Sequence, residues 1–588
     1  MAVGKITGDL ENKRDLHKNC TEKEDNPNTI SKSALSVAVS PTNEVDFDDL
    51  LSSAGELGRY QIILFFATFP FYVFGVFVYY SQLFMTETSP NHWCWIPELE
   101  NLTDIERRNL AIPQDSHTRF GYSHCRAYVA NWTDVLSSGL KPNESWKTVS
   151  CQHGWEFNKS EIPYETISSE MEWVCEKDSY QASAQSIFFL GSVVGGFIIG
   201  WISDKYGRLP AAIISNVIGC IGGFTSTFTS NFIEFATCRF FMGMAYDNCM
   251  MMAYLIALEY VAPKYRSLIS NMAFALFYAF AVTALPWLVL ICGDWKIISL
   301  VTSIPLLLSL LTPLFLPESP RWLLSKGRVD EAIKKVLTIG RVNKKEVPSK
   351  LIEQFRHSTC NKKQEESLNC LEIFKRPMVR NMFLCICLDY MCCAIVFDGL
   401  VRSLGQLDLD FFLSFSVVSF TEFPSMLITA FIMDWMGRRW LTTIVMSVSC
   451  IFSILTVFVS GGVLSLVFAI VARFAVNIAY SVAMQWAAEM LPTSVRGSGV
   501  SFVHICGYIA TSLAPYVIYL ETYVYWLPLV VIGAIAGFGA LVAFALPETA
   551  KKDMPQTFED AEEMIRKQRF WEFPCIGERN IDGPANEA

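Results

Sequence analysis

The chain has 588 residues, of which 52% are hydrophobic, 13% aromatic and only 18% charged, and its mean hydropathy is +0.31. The apolar residues occur in runs of about 20, the length of a helix that crosses a bilayer. This composition excludes a disordered scaffold and an ordinary soluble enzyme. The net charge of −10 provides no basic surface for a phosphate backbone, so we expect no nucleic-acid partner.

The first 45 residues are polar and have no apolar core behind basic residues, so they do not have the pattern of a cleavable signal peptide. We therefore expect the first apolar run to direct insertion into the bilayer. The runs predict an all-α membrane protein with twelve transmembrane helices. The predicted spans lie roughly at residues 60–84, 180–202, 211–230, 235–258, 267–291, 296–316, 381–403, 409–433, 441–460, 463–487, 498–520 and 525–546.

These spans divide the chain into two halves of six helices, joined by a charged segment. The predicted regions are a cytoplasmic tail at 1–45, an N-terminal half at 46–320 with a large loop at 86–178, cytoplasmic linker helices at 321–380, a C-terminal half at 381–550 and a cytoplasmic tail at 551–588.

The charges of the loops predict the orientation. Loop 86–178 holds eight Lys/Arg and fifteen Asp/Glu, whereas segment 321–380 holds fifteen Lys/Arg and seven Asp/Glu. Because positive loops stay in the cytoplasm, we expect both termini to be cytoplasmic and loop 86–178 to be outside. The expected location is the plasma membrane.

Loop 86–178 has the cysteines and glycosylation motifs of an extracellular segment. Its even set of cysteines predicts two disulfides, with three possible pairings, and its Asn-x-Ser/Thr motifs predict glycosylation of at least one asparagine. The cysteines are Cys94, Cys125, Cys151 and Cys175, and the asparagines are Asn101, Asn131, Asn143 and Asn158.

Three charged motifs recur at an offset of 230 residues. GWISDKYGR at 200–208 matches AFIMDWMGR at 430–438, EYVAPKYR at 259–266 matches EMLPTSVR at 489–496, and LPE recurs at 316–318 and 546–548. All lie at predicted cytoplasmic helix ends. The pattern favours two parallel repeats that rock around a midplane site, with a cytoplasmic gate latched by ion pairs when the outside is open. The alternative is helix-end anchoring alone. The gate residues are Asp204, Arg208, Glu259, Arg266, Glu318, Arg321, Asp434, Arg438, Glu489, Arg496 and Glu548.

With these motifs, residues 45–550 resemble the major facilitator superfamily and, more closely, its organic cation, organic anion and carnitine transporter family. The resemblance implies alternating access around a central substrate cavity. Insect-type members that carry β-alanine and carcinine are similar in general character. The motifs are AGELGRYQ (54–61), HWCW (92–95), GWISDKYGRLP (200–210), RFFMG (239–243), PESPRWLLSKGR (317–328), EFP (422–424) and PETA (547–550).

Three candidate cavity residues lie twelve positions from cytoplasmic helix ends, roughly 18 Å into the membrane at about 1.5 Å per residue. Asp247 has no cation one turn away on its own helix, and the resemblance implies a lysine at this place in many relatives. Glu422 matches a glutamate of cation-carrying relatives. Tyr508 stands where cation-type relatives carry Asp and anion-type or carnitine-type relatives carry Arg.

Further candidates are aromatic or acidic. Tyr390 and Phe397 are seven apart and share a helix face, and the resemblance matches them to cavity aromatics, whose faces can hold a cation. Asp398 is a candidate, but Arg402 lies one turn away and could pair with it. Tyr254 shares the helix face of Asp247.

Three other ionisable residues are weaker candidates. Asp389 faces away from Asp398, His504 is either a proton-coupling group or a packing residue, and Arg473 is expected near the outer surface.

The acidic and aromatic interior predicts a secondary transporter or facilitated uniporter of small organic cations. A zwitterion carrier for amino-acid-like, carcinine-like or carnitine-like substrates, with or without a coupling ion, is the first alternative. A non-transporting sensor on a carrier fold is the second. The sequence lacks P-loop, H-E-x-x-H and G-x-S-x-G motifs, so we expect no enzyme activity, no metal and no cofactor, and the lipid bilayer as the surroundings.

Overall fold

The structure is a computed structural model that describes residues 46–567, apart from residues 116–120, 140–142, 144–145, 362–369, 407–409, 460–461, 494, 551 and 553. The predicted tail at 1–45, and that at 551–588 beyond residue 567, lie outside the described residues. Within the described residues, twelve helices are long and apolar enough to cross a membrane, which confirms the predicted fold class. They are numbered here in chain order: Arg59–Thr86, Cys175–Tyr206, Arg208–Ser226, Phe232–Glu259, Pro263–Cys292, Trp295–Leu314, Pro377–Arg402, Phe411–Met436, Arg438–Phe458, Val463–Met490, Arg496–Thr522 and Leu527–Ala545.

Several spans are interrupted inside the membrane. The eighth breaks at Thr421, three residues before Pro424, because a proline lacks an N–H and its ring clashes with the carbonyl four residues earlier. Glu422 therefore stands at a bend. The segments are Arg59–Ala67 and Phe69–Thr86; Cys175–Lys177 and Ser179–Tyr206; Pro263–Ala273, Phe274–Tyr278 and Ala279–Cys292; Trp295–Ser303 and Ile304–Leu314; Phe411–Phe420 and Glu422–Met436; Arg496–Thr511, Ala514–Tyr519 and Leu520–Thr522.

The second and fourth spans touch backbone to backbone. A Cβ added at Gly191 would overlap the carbonyl of Phe240, and one added at Gly243 would overlap that of Phe188. Small residues permit such close crossings of membrane helices. The crossing brings the aromatic residues that follow it toward the centre of the molecule.

Loop 86–178, predicted to be extracellular, is a small folded domain; it is called the extracellular domain below, and its side of the membrane the outside. Strand β1 (His92–Cys94) pairs antiparallel with β4 (Trp155–Phe157), and β2 (Arg126–Tyr128) pairs with β3 (Thr148–Ser150). The structure joins Cys94 to Cys151 and Cys125 to Cys175, one of the three possible pairings. Its short helices are Pro97–Leu99, Asp104–Ala111, Trp132–Ser138 and Ile167–Glu170.

This domain is fixed to the N-terminal half. The Tyr164 hydroxyl donates to the carbonyl of Phe84 (2.9 Å), and Ser168 donates to that of Thr86 (2.7 Å). Glu170 accepts hydrogen bonds from the Trp295 indole (2.6 Å) and from Lys296 (2.7 Å) at the start of the sixth span. On the C-terminal half, the Tyr164 ring meets the ring of Phe412 at a centroid distance of 6.1 Å.

Short helices flank the membrane domain on the side predicted to be cytoplasmic, which is called the cytoplasmic side below. The Asn343 side chain accepts from the N–H of Tyr60 (2.9 Å) and donates to the carbonyl of Ala54 (3.1 Å). These bonds dock the linker beneath the first span. The cytoplasmic helices are Phe47–Ala54, Pro320–Ser325, Val329–Asn343, Ser349–Asn361, Cys370–Lys375 and Phe558–Arg566.

Candidate substrate site

A cavity lies between the two halves and has an aromatic wall. The first, second and fourth spans line it from one half, and the seventh, tenth and eleventh from the other. The lining residues are Tyr79, Phe189, Tyr246, Tyr390, Ala394, Phe397, Asp398, Tyr480, Gly507, Tyr508 and Thr511.

The rings on the C-terminal side hold one another in place. The Tyr390 hydroxyl donates to that of Tyr480 (2.7 Å), and the Phe397 ring stacks on Tyr480 at a centroid distance of 4.9 Å. Gly507 makes room for this arrangement, because an added Cβ would overlap the ring of Tyr390. These contacts fix a π-rich wall before any substrate arrives.

The N-terminal half contributes a second set of rings. Tyr79 stacks on Tyr246 with centroids 4.8 Å apart, and Tyr246 meets Tyr508 edge-on at 6.2 Å. Aromatic rings from both halves therefore face the same space. Ring faces attract cations, so the wall suits an ammonium or imidazolium group.

Asp247 lies next to this wall, outside its lining residues, and has no counter-charge among the described residues. It directly follows the lining residue Tyr246, is half-buried, and lies within electrostatic range of Tyr390, Tyr480 and Tyr508. Asp247 makes no hydrogen bond or ion pair with any of the described residues. A carboxylate inside the membrane without a protein cation is costly and marks a functional site.

Asp398 lines the cavity but is already neutralised. The Arg402 Nε lies 2.6 Å from a carboxylate oxygen of Asp398, and the Tyr79 hydroxyl donates to the same carboxylate. Asp398 therefore pairs with Arg402 one turn away, which is the alternative that the sequence had left open. The Tyr79 bond also connects the two halves.

Glu422 has a partner too, and Arg473 lies deeper than expected. The two side chains meet at 2.7 Å and are 2% and 0% exposed. Their backbones differ in depth by only about 6 Å at 1.5 Å per residue, a distance that an arginine side chain spans. The Arg473 guanidinium also covers the Phe397 ring at 3.6 Å, which removes both charges from the cavity.

Asp247, Tyr254, Asp389, Glu422 and His504 are not among the lining residues. The Tyr254 hydroxyl bonds with that of Ser270 at 2.8 Å, whereas Asp389 is fully buried inside the seventh span. His504 lies one turn below Tyr508, with its ring 5.7 Å from that of Tyr390.

Sequence reasoning missed seven lining residues: Tyr79, Phe189, Tyr246, Ala394, Tyr480, Gly507 and Thr511. A signal existed for Tyr480, which follows Arg473 by seven positions and so shares its helix face. Tyr246 adjoins the candidate Asp247. Phe189 and Thr511 carry no charge or motif that would distinguish them from packing residues.

The repeated charged motifs form matching contacts in the two halves. Glu318 accepts from the backbone N–H of Arg208 (3.0 Å), and Glu548 accepts from that of Arg438 (2.9 Å). The turns ahead of these arginines use Gly207 (φ 118°) and Gly437 (φ 83°), a region of φ that favours glycine. Each Pro-Glu motif thus caps the third helix of its half.

The second ion pair differs between the halves. Arg438 bonds Glu489 at 2.8 Å and Asp434 at 2.9 Å, whereas Arg208 bonds Asp204 at 2.8 Å. Glu259, the counterpart of Glu489, keeps one buried oxygen without a partner among the described residues.

Two other gate arginines of the N-terminal half, Arg266 and Arg321, form ion pairs with a residue outside the repeated motifs. Asp48 pairs with Arg266 at 2.9 Å and also with Arg321. In the C-terminal half, Arg496 donates to the carbonyls of Leu491 (3.2 Å) and Pro555 (3.3 Å). The ion pairs described at the cytoplasmic face thus join residues within one half or its adjoining segments.

The described hydrogen bonds between the halves lie toward the extracellular helix ends. Rings also close this side, because Phe84 packs against Phe411, Phe412 and Phe415. The structure is therefore closed toward the outside. The bonds are Tyr79 to Asp398, Ser183 to Tyr516 (3.1 Å), Ser186 to the carbonyl of Ser512 (2.6 Å) and Ser416 to that of Thr283 (3.2 Å).

Known proteins share this architecture and much of this sequence. A family model described as "Sugar (and other) transporter" matches residues 147–565. The carcinine transporter of Drosophila melanogaster is 30% identical over 542 residues, which cover 89% of this chain and 80% of that protein. The organic cation/carnitine transporter 2 of Homo sapiens is 27% identical over 523 residues, covering 87% and 93%.

Solved structures agree with the fold. The inward open conformation of the xylose transporter of E. coli superposes with a TM-score of 0.54 at 16% identity, covering 86% of this chain and 100% of that one. The chain is a multi-pass membrane transporter that belongs to the sugar (and other) transporter family and, within the major facilitator superfamily, to the group of organic cation, carnitine and carcinine transporters.

Proposed function

We propose that the protein carries small organic cations across the plasma membrane by alternating access, with both termini in the cytoplasm. Asp247 supplies the counter-charge, and Tyr390, Tyr480 and Tyr508 supply the aromatic surface. Phe397, whose ring contacts Arg473 and stacks on Tyr480, completes the wall. The substrate site lies between the halves, so each half can release its outer or inner contacts in turn. In a uniport, each positive charge that enters down the membrane potential gains about 2.3 kcal/mol per 100 mV.

The unpaired carboxylate of Asp247 carries this proposal. Asp398 and Glu422 have arginine partners within 2.7 Å, so neither offers free negative charge to a substrate. Asp247 has no such partner among the described residues and lies beside the aromatic wall. A cation at this point would satisfy the carboxylate and the rings together.

A zwitterion carrier is the second candidate. Relatives include a carcinine transporter, a β-alanine transporter of Drosophila melanogaster and an organic cation/carnitine transporter. Here, however, Arg402 and Arg473 are bound to Asp398 and Glu422, so a substrate carboxylate would depend on tyrosine hydroxyls. This supports the cation as the main substrate class.

The cytoplasmic charged residues act, in this proposal, as a gate. With the outside closed, their ion pairs stay within each half, and Asp204 and Asp434 are 80% and 74% exposed on their side chains. When the outside opens, the two cytoplasmic faces approach and these carboxylates meet the arginines of the other half. The two capped turns hold the arginines in position to form these ion pairs between the halves.

Uptake by cells that express the wild type, Asp247→Asn or the exposed control Glu331→Gln tests the proposal. The radiolabelled panel contains a quaternary ammonium ion, an imidazole amine, β-alanine, carnitine and an aromatic carboxylate. We expect the cations to be taken up by the wild type and by the control, and uptake to fall about 10-fold or more in Asp247→Asn, as expected for loss of about 1.5–3 kcal/mol of charged interaction. Preference for the zwitterions or the carboxylate, with Asp247→Asn harmless, would contradict the cation assignment.

A further inference from the structure

His504 is the only histidine within a span of this chain, and it lies under the cavity. Its ring is 5.7 Å from that of Tyr390 and 6.2 Å from that of Tyr508, by centroids. Its Nδ1 is buried and has no hydrogen-bond partner among the residues that the structure describes. An imidazole with an unpaired buried nitrogen can take up a proton without first breaking a bond.

The charged group within electrostatic range of this imidazole is Asp247 of the opposite half. Two ring contacts connect their positions, from His504 to Tyr508 and from Tyr508 to Tyr246, which directly precedes Asp247. Asp247 also has no cationic partner among the described residues. In this pair, the Asp247 carboxylate therefore has no cationic partner, and the His504 imidazole has no hydrogen bond at Nδ1.

The other elements packed against His504 carry several titratable groups. The seventh span contributes Tyr390 and carries the buried Asp389 directly before it. The tenth contributes Tyr480 through its bond to Tyr390, and the eleventh itself carries Cys506 and Tyr508. The second span also packs along the eleventh, with its charged residues confined to its ends: Glu176, Lys177, Asp178, Asp204 and Lys205.

The charge balance allows one cation at a time. A bound organic cation neutralises Asp247, and a proton on His504 does the same through an imidazolium. Both together would leave an excess positive charge inside the membrane, which is costly. Substrate and proton should therefore exclude each other.

We propose that His504 is a proton-binding site and that the carrier exchanges one organic cation for one proton; this rests on the proposed function. The substrate enters the cavity, pairs with Asp247 and displaces the proton from His504 to the side that is open. After substrate release on the other side, His504 is protonated again from that side, and the carrier returns with Asp247 neutralised. One charge moves each way, so the cycle is electroneutral.

This exchange differs from a uniport in its driving force. A uniport responds to the membrane potential, whereas the exchange responds to the pH gradient. For a 1:1 exchange, one pH unit of gradient supports about tenfold accumulation of a monovalent cation, since one pH unit is a tenfold ratio of proton activity.

The test uses the purified full-length protein in liposomes and a radiolabelled tetraalkylammonium ion, which cannot itself gain or lose a proton. The potential is clamped at zero with potassium and valinomycin, and the interior is made one pH unit more acidic than the exterior. The variants are His504→Gln, Asp247→Asn and His153→Gln, the last an exposed histidine of the extracellular domain.

In the wild type and His153→Gln we expect transient accumulation of about tenfold and proton efflux that matches cation uptake. In His504→Gln we expect tetraalkylammonium to equilibrate without accumulation, and its uptake to become sensitive to the potential. Wild-type uptake that ignores the pH gradient, or a His504→Gln variant that accumulates as well as the wild type, would overturn the exchange. If no variant transports the cation at all, the proposed function itself fails.

Discussion

A buried ion pair, Arg473 with Glu422, lies inside the C-terminal half. Both side chains are almost fully buried, and the guanidinium also covers the Phe397 ring. Removal of one partner of such a pair leaves an uncompensated charge, which costs about 3–5 kcal/mol, whereas removal of both costs far less. The pair therefore positions Phe397 and also neutralises the charge of Glu422 at the bend in the eighth span.

Substitution of one member should reveal this coupling. We expect Arg473→Met and Glu422→Gln each to lower the free energy of unfolding by about 3–5 kcal/mol, and the double variant Glu422→Gln/Arg473→Met to recover most of the loss. Thermal unfolding of the detergent-purified protein measures the stability of the two single variants and of the double variant. If the losses simply add in the double variant, the two residues do not act as a pair.

At the scale of elements, the extracellular domain contains two histidines in contact. The rings of His92 and His124 have centroids 4.8 Å apart. Burial and, to a smaller extent, the neighbouring His124 lower the pKa of His92 from 6.5 to about 4; burial also lowers the pKa of His124. Both rings are therefore neutral in the folded domain at neutral pH.

The sign of the pH effect follows from this lowering. The folded domain binds fewer protons than the unfolded one, so its stability is complete above pH 6.5 and is lost as the pH falls toward 4. His92 alone accounts for a loss of up to about 3 kcal/mol. We expect hydrogen exchange of residues 92–175, corrected for the intrinsic rate at each pH, to accelerate over this range in the wild type.

A His92→Gln variant should show a flatter pH dependence, since glutamine does not titrate. His153→Gln, at an exposed position, should behave as the wild type. An unchanged pH profile in His92→Gln would assign the effect to other groups.

At the scale of the whole molecule, the outer contacts hold the two halves together. The Tyr79 hydroxyl donates to Asp398 across the interface, and a hydrogen bond to a charged group contributes about 1.5–3 kcal/mol. We expect Tyr79→Phe to shift the population toward the outside-open form. The measurement is labelling of a cysteine introduced at Ala394, on the cavity wall, by a membrane-impermeant thiol reagent added outside.

Labelling should be about tenfold faster or more in Tyr79→Phe than in its parent. Tyr525→Phe, at an exposed position near the outer surface, is the matched control and should not change the rate. Equal rates in all three would show that this bond does not hold the outside closed.

The sequence predicted the twelve spans to within a few residues, because apolar length is a local property that the bilayer enforces. The seventh span, predicted at 381–403, is Pro377–Arg402. The repeat at 230 residues also predicted that the motifs of the two halves would occupy equivalent places. Their capping contacts do so, through Glu318 and Glu548.

The cavity was predicted less completely, because its residues come from six spans and depend on how the helices cross. Four of the candidates, Tyr390, Phe397, Asp398 and Tyr508, are among its lining residues. Phe189 also lines it, on a span that the glycines bring into backbone contact with the fourth span. The position of Arg473 along its helix predicted a place near the outer surface. That estimate used only the backbone, so it did not predict that the long arginine side chain would reach Glu422.

The attachment of the extracellular domain has a consequence for reagents that recognise it. Its hydrogen bonds to the membrane domain, through Tyr164, Ser168 and Glu170, all end on the N-terminal half, so the domain travels with that half as one body. An antibody fragment that binds only this domain would move with the N-terminal half and leave turnover unchanged. A fragment that also binds residues 520–526 of the other half would hold the two halves together and keep the carrier in a single conformation.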